Sequence, residues 1–213
     1  MRKVAILGGT FDPVHWGHLL IAQTALSQVA LQQVIWVPTR CPPHKQAALF
    51  EHRLEMVQRA IADHPAFAIS AGSANRSHPS YAIQTLTELQ DVYPNTHWYW
   101  IVGLDAFRTL PRWYRRQELA SKCEWLVAPR LVSAMPGVDE LTEMIAQIKF
   151  ICEQVVQQLA AEDITICWQI LHMPWVGVSS SLIRQYCRAR SSIRYLVPEA
   201  VRTYIDTHNL YLH

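Results

Sequence analysis

Two histidines three residues apart, His15 and His18, stand in the stretch GGTFDPVHWGH that begins at Gly8. An imidazole can donate hydrogen bonds to an oxyanion, and neighbouring phosphates favour its protonated form. Gly8 and Gly9 allow backbone to come close to a ligand, and a cluster of N–H groups leading into a helix N-terminus attracts phosphate. The combination points to a site for phosphate groups. Taken singly, either histidine could be a capped or solvated side chain. With no carboxylate or cysteine at ligand spacing beside the pair, a zinc site is not expected. The spacing is not G-x-G-x-x-G, and G-x-x-x-x-G-K-[ST] occurs nowhere, so a Rossmann dinucleotide fingerprint and a P-loop are both excluded.

The elements that must hold this stretch are legible as apolar, β-branched or aromatic runs. They are Val4 to Leu7, Val34 to Val37, Phe67 to Ser70, Trp98 to Val102, Trp125 to Ala128 and Ile164 to Leu171. Stretches of helical spacing lie between them, among them Leu20 to Leu31, Arg53 to Asp63 and Tyr81 to Val92. This alternation predicts a doubly wound α/β fold with a mostly parallel sheet and right-handed connections. Ligands in such sheets bind outside the carboxyl ends of the strands. The unusual polar segments do follow strands: GGTFDPVHWGH the first, PTRCPPHK (38–45) the second, GLDAF (103–107) the fourth and VSSSLIR (178–184) the last. All four could share one crevice. Residues 141–159 carry an amphipathic stripe of Leu141, Met144, Ile148, Ile151, Val155 and Leu159, expected to pack on the core. The tail reads as two short helices, the second with Pro198 in or near its first turn.

Composition bounds the rest. A chain of 213 residues, 50% apolar and 17% charged, suits one sizeable core and a single domain over 1–213, with a helical insertion at about 131–163 and a helical C-terminal part at about 179–211. A net charge of +2 argues against nucleic acid or a membrane surface as partner. Five cysteines without C-x-x-C spacing indicate neither a disulfide framework nor a zinc knuckle, and suit a reducing cytoplasm. No run approaches the roughly 20 apolar residues of a membrane span.

The stretch at 8–18 resembles the signature of the nucleotidyltransferase superfamily with the (H/T)-x-G-H motif, here His15-Trp16-Gly17-His18. More narrowly, the chain is similar to the bacterial nicotinate-nucleotide adenylyltransferase family of NAD biosynthesis, from residue 4 to about 211. The narrower resemblance rests on PPHK at 42–45, SYA with TL at 80–86, IVGLDAF with PRWY at 101–114, VSSSLIR, and LVPEAVRTYIDTHNLY at 196–211.

The resemblance implies a Rossmann-like nucleotidyltransferase fold and transfer of the adenylyl group of ATP to nicotinate mononucleotide, with Mg²⁺ carried on the ATP. By motif, Gly8, Gly9, Thr10 and Phe11 would line the ATP phosphates, and His15, His18 and Arg184 would stabilise the transition state. Ser179, Ser180, Ser181 and Arg184 would form a second phosphate clamp, and Asp105 would reach the ATP ribose. His44 and Lys45 would meet the phosphate of the pyridine nucleotide. Trp113 would stack on its ring, with Tyr81, Ala82 and Tyr114 near the nicotinate carboxylate and Arg112 close by.

Two features depart from the family pattern. Ala82 stands where threonine commonly follows Ser-Tyr, and PRLVSAMPG with the helix at about 138–160 replaces an Arg-Pro-Gly turn. They bear on substrate preference and on a possible homo-oligomer contact. Acceptance of nicotinamide mononucleotide or of another phosphorylated acceptor such as phosphopantetheine stays open, as does a non-catalytic nucleotide-binding module.

Overall fold

A computed structural model describes residues 1–40, 47–70, 81–129, 138–174 and 176–212. The strands are β1 (Arg2–Gly9), β2 (Gln33–Pro38), β3 (Phe67–Ile69), β4 (Thr96–Gly103), β5 (Glu124–Ala128) and β6 (Trp168–Ile170). The helices are α1 (Trp16–Gln28), α2 (Phe50–Ile61), α3 (Ala82–Val92), α4 (Leu104–Phe107), α5 (Arg116–Lys122), α6 (Val138–Ala160), α7 (Ser180–Arg188) and α8 (Glu199–Thr207).

Buried parallel strands are apolar on both faces, because side chains alternate between two helix layers. β1 illustrates it: Val4 and Ile6 join one apolar cluster, Ala5 and Leu7 the other. The first face is covered by α3, α4, α5 and α6, through residues such as Leu86, Phe107, Leu119 and Cys152. The opposite face is covered by α1, α2, α7 and α8, through Ala25, Met56, Ile183 and Val201. All six strands pair in parallel, in the order β3-β2-β1-β4-β5-β6. This is a doubly wound sheet whose strand order reverses between β1 and β4, so a crevice opens at their carboxyl ends.

Three elements differ from the expected spans. β6 pairs over three residues instead of eight: Trp125 N–H donates to the Cys167 carbonyl and Leu171 N–H to the Val127 carbonyl, which bracket the ladder. Ile164 instead donates its N–H to Leu159 at the end of α6, and Ile164 and Ile166 are buried as core residues rather than as strand. α1 begins at Trp16, four residues before the apolar periodicity starts, because a histidine serves as its N-cap. Between β4 and β5 the chain forms α4, a 3₁₀ turn at Leu110–Arg112 and α5. The stripe of α6 lies on the core, with Ile148, Cys152, Val155 and Leu159 buried and Met144 and Ile151 packed against them. α8 follows Pro198, its N-cap.

Candidate active site

The chain leaves β1 at Gly8-Gly9 and enters α1 through a loop whose shape depends on two close approaches. The buried Phe11 ring lies where a Cβ on Gly9 would sit, 2.9 Å away, and Phe11 itself takes a left-handed φ of 50°. A Cβ on Gly17 would meet the His15 ring at 3.0 Å. Both glycines are therefore fixed by aromatic neighbours, whereas Gly8 faces open space.

His15 and His18 form a reciprocal cap at the start of α1. His15 Nδ1 accepts from Gly17 N–H at 3.1 Å, and His18 Nδ1 accepts from His15 N–H at 3.3 Å. Their rings stack at 3.8 Å between centroids, with the Phe11 ring edge-on to His18 at 5.0 Å. Each Nδ1 is turned to the backbone, and Nε2 is the nitrogen on the far side of the ring. Ser, Thr, Asp or Asn would cap this helix for about the same 1 kcal/mol, so capping does not account for two imidazoles.

The opposite wall is the start of α7. Ser179 is its N-cap and accepts from Leu182 N–H, while Ser180 Oγ donates to the Pro13 carbonyl at 2.9 Å. Arg184 is half-buried; its Nη1 donates to the Asp12 carbonyl at 2.6 Å and its Nη2 to Ser181 Oγ at 3.3 Å. The Ser180 hydroxyl thus spends its hydrogen on the Pro13 carbonyl, whereas Ser179 and Ser181 accept hydrogen bonds and keep an O–H to donate. To a ligand α7 offers its N-terminal amides, the positive end of its dipole and these two hydroxyls.

The two helix N-termini open on one cavity of about 540 Å³ at the carboxyl ends of β1 and β4. Gly8, Gly9, Thr10, Phe11, His15, His18, Ser179, Ser180, Ser181 and Arg184 all line it. Neither helix carries an acidic residue in its first turn, which leaves both dipoles uncompensated toward the cavity. Of the four polar segments expected to share a crevice, those after β1 and near β6 do so, and the third contributes Gly103. Asp105 lies outside this lining, exposed in the first turn of α4.

The residues expected around the pyridine ring form a separate group. Tyr81 is the N-cap of α3 and its ring lies tilted against that of Tyr114 at 4.5 Å between centroids, both exposed, and Ala82 opens that helix. Trp113 is half-buried, edge-on to Trp100 and Trp125, with its Nε1 donating to Thr109 Oγ1 at 3.0 Å. Arg112 ends the 3₁₀ turn. None of these lines the cavity at β1, and His44 and Lys45 lie outside the described residues.

Two residues that sequence reasoning passed over organise the site. Asp12 is 5% exposed; its Oδ1 accepts from Ala48 N–H at 3.2 Å and from the Tyr211 hydroxyl at 2.8 Å, and its Oδ2 is 3.6 Å from Arg184. Arg53, 1% exposed, donates to the carbonyls of Thr10, Thr39, Arg40 and Ala48 at 2.7 to 3.1 Å. One guanidinium thereby ties the loop after β1 to the loop after β2. A signal was present: Arg53 falls on the buried stripe of α2 with Phe50, Met56, Val57 and Ile61, where a charge must have partners.

The family model described as cytidylyltransferase-like matches residues 6–186. A relative from Trichormus variabilis, bearing the name "Probable nicotinate-nucleotide adenylyltransferase", is 60% identical over 211 residues, covering 99% of this chain and 98% of its own. The chain belongs to the nicotinate-nucleotide adenylyltransferase family. Membership makes it an enzyme, a nucleotidyltransferase. A family member so named from Dehalococcoides mccartyi is 37% identical, with 98% and 97% of the two chains covered. The Plasmodium falciparum nicotinic acid mononucleotide adenylyltransferase complexed with NaAD superposes with a TM-score of 0.73 at 16% identity, over 99% of this chain and 98% of that one. At that identity the likeness is one of fold, and it covers the whole doubly wound sheet.

Proposed function

We propose that the chain transfers the adenylyl group of ATP to nicotinate mononucleotide, giving deamido-NAD and pyrophosphate. The observation that carries this reading is the convergence of two helix N-termini, the stacked histidine pair and Arg184 on one cavity at the switch in strand order. An oxygen of the acceptor's 5′-phosphate attacks the α-phosphorus of ATP. The bond to the bridging oxygen of the β-phosphate breaks, and pyrophosphate leaves with that electron pair. No protein nucleophile is needed, so the chain's contribution is alignment and stabilisation of spreading negative charge.

In this reading Gly8 to Phe11 offer backbone to the reacting phosphates. His15 and His18 donate from Nε2 to the oxygens that gain charge, and Arg184 with the amides of Ser180 and Ser181 holds the departing pyrophosphate. Asp105 meets the ATP ribose. Tyr81, Ala82, Trp113 and Tyr114 receive the pyridine ring, and His44 and Lys45 its phosphate.

Magnesium belongs to the substrate, as the MgATP complex. Among the described residues no three His, Cys, Asp or Glu side chains are grouped to hold a metal, and Asp12 is already engaged by Ala48, Tyr211 and Arg184. This donor set suits an ion held by phosphates and water. Free cysteines at 123, 152, 167 and 187 suit a reducing cytoplasm. No helix among the described residues is long and apolar enough to cross a membrane.

The test is pyrophosphate release from ATP and Mg²⁺ with nicotinate mononucleotide, nicotinamide mononucleotide and phosphopantetheine compared under the same conditions. Preference for the first supports the reading. Preference for either of the others keeps the chemistry and replaces the acceptor, and release with none of them rejects it in favour of a binding module.

A further inference from the structure

We propose that Tyr211 is a positioning residue for adenylyl transfer, its hydroxyl holding Asp12 and, through Asp12, the guanidinium of Arg184 at the cavity. This rests on the reading of Arg184 as the group that meets the pyrophosphate.

The hydroxyl donates to Asp12 Oδ1 at 2.8 Å across 199 positions of sequence. Asp12 is buried, and each of its oxygens has work. Oδ1 takes Tyr211 and Ala48 N–H, which leaves Oδ2 for Arg184 at 3.6 Å, while the Asp12 carbonyl takes Arg184 Nη1 at 2.6 Å. Arg184 is thereby held on two sides of one residue, with its remaining donors free to turn toward the cavity that it lines. Removing the Tyr211 donor frees the Oδ1 side of the carboxylate. In a low-dielectric setting the carboxylate then draws the guanidinium toward itself and away from the phosphates.

Packing of the tyrosine does not by itself explain the hydroxyl. The ring already rests on the apolar cluster beneath α1, α2, α7 and α8, which phenylalanine would also satisfy. The backbone at Tyr211 has a left-handed φ of 66°, a conformation disfavoured for a bulky side chain and kept here by the surrounding contacts. Burial and the Asp12 carboxylate push the phenol well above its ordinary range, so it remains a donor throughout neutral pH.

The experiment is a double-mutant cycle of Tyr211→Phe and Arg184→Ala, read as kcat and KM for both substrates by pyrophosphate release. Tyr211→Phe alone is expected to lower kcat about tenfold, the size of one hydrogen bond to a charged group, with both KM values moving less than about threefold. In the Arg184→Ala background the same substitution is expected to change kcat by less than about twofold, since the group it acts through is gone. An unchanged kcat in Tyr211→Phe, or an equal loss in both backgrounds, overturns the proposal. If Tyr211→Phe does not fold, Asp12→Asn carries the same test: non-additivity with Arg184→Ala supports the link, and additivity rejects it. Wild-type enzyme assayed alongside separates the two failures, because absence of release there rejects adenylyl transfer itself.

Discussion

The rings of His15 and His18 stack at 3.8 Å with 28° between their planes, and each turns Nδ1 toward a backbone N–H of the first turn of α1. The helix N-terminus thus fixes which nitrogen of each ring is turned to the backbone. The cap uses Nδ1 and the proposed chemistry Nε2, so the two can be separated by substitution.

His15→Asn keeps a cap acceptor for Gly17 N–H and loses the Nε2 donor. Stability should change by less than about 1 kcal/mol, because asparagine is itself a good N-cap. Turnover should fall about 10²-fold or more, the usual cost of a lost transition-state donor. His18→Ala should lose as much. Thermal melting and pyrophosphate release on the same samples check both, and near-normal turnover in either variant would remove that histidine from the proposed role.

Trp113 and Tyr114 should respond differently, although both are assigned to the pyridine nucleotide. Tyr114 is 53% exposed, so Tyr114→Ala should raise the KM of the acceptor several-fold with melting unchanged. Trp113 packs edge-on to Trp100 and Trp125, and Trp113→Ala should in addition destabilise the fold by about 3 kcal/mol through the cavity it leaves. Steady-state kinetics with each substrate varied in turn, beside melting curves, tests this. An effect confined to the KM of ATP would refute the division of the site.

Arg53 predicts a larger structural penalty than any surface arginine. Arg53→Met removes the buried charge and leaves the part-buried carbonyls of Thr10, Thr39, Arg40 and Ala48 without that donor, and loss of about 3 kcal/mol is expected. Arg53→Lys keeps the charge but lacks the planar fork, and should recover only part of it. Chemical denaturation of the three proteins gives the order, and equal midpoints would show that the carbonyls find other donors.

Stability should decline on the alkaline side. Burial and Glu153 push the Cys152 thiol from 9.0 up to about 11, and burial pushes Cys123 higher still and raises Cys187. Between pH 9 and 11 the unfolded chain has released protons that the folded one retains, so unfolding becomes easier as pH rises through that window. Below pH 9 these groups contribute no slope. Melting temperature followed from pH 7 to 11 should be level and then fall, and Cys152→Ala should flatten part of the fall; an unchanged slope would assign it to other groups.

How much was legible before any coordinates follows from where each signal resides. Buried parallel strands announce themselves as apolar runs, so the α/β alternation and the placement of polar segments after strands could be read from local pattern. The histidine pair, the glycines, the serine run and Arg184 form short contiguous motifs, and these meet at one cavity. The acceptor-side residues rested on resemblance; those within the described residues lie apart from that cavity.

The sequence by itself determined the fold class and which short polar motifs follow the strands, because these depend on periodicity and on local spacing. Tertiary structure decided what those residues are tied to. Which nitrogen each histidine presents depends on where α1 begins, and the length of β6 depends on the neighbouring strand that it pairs with. Asp12, Arg53, Arg184 and Tyr211 became one network only when residues up to 199 positions apart were brought within hydrogen-bond distance. A buried polar group must find partners, yet nothing local names them; chain packing chooses which carbonyl or carboxylate is within reach.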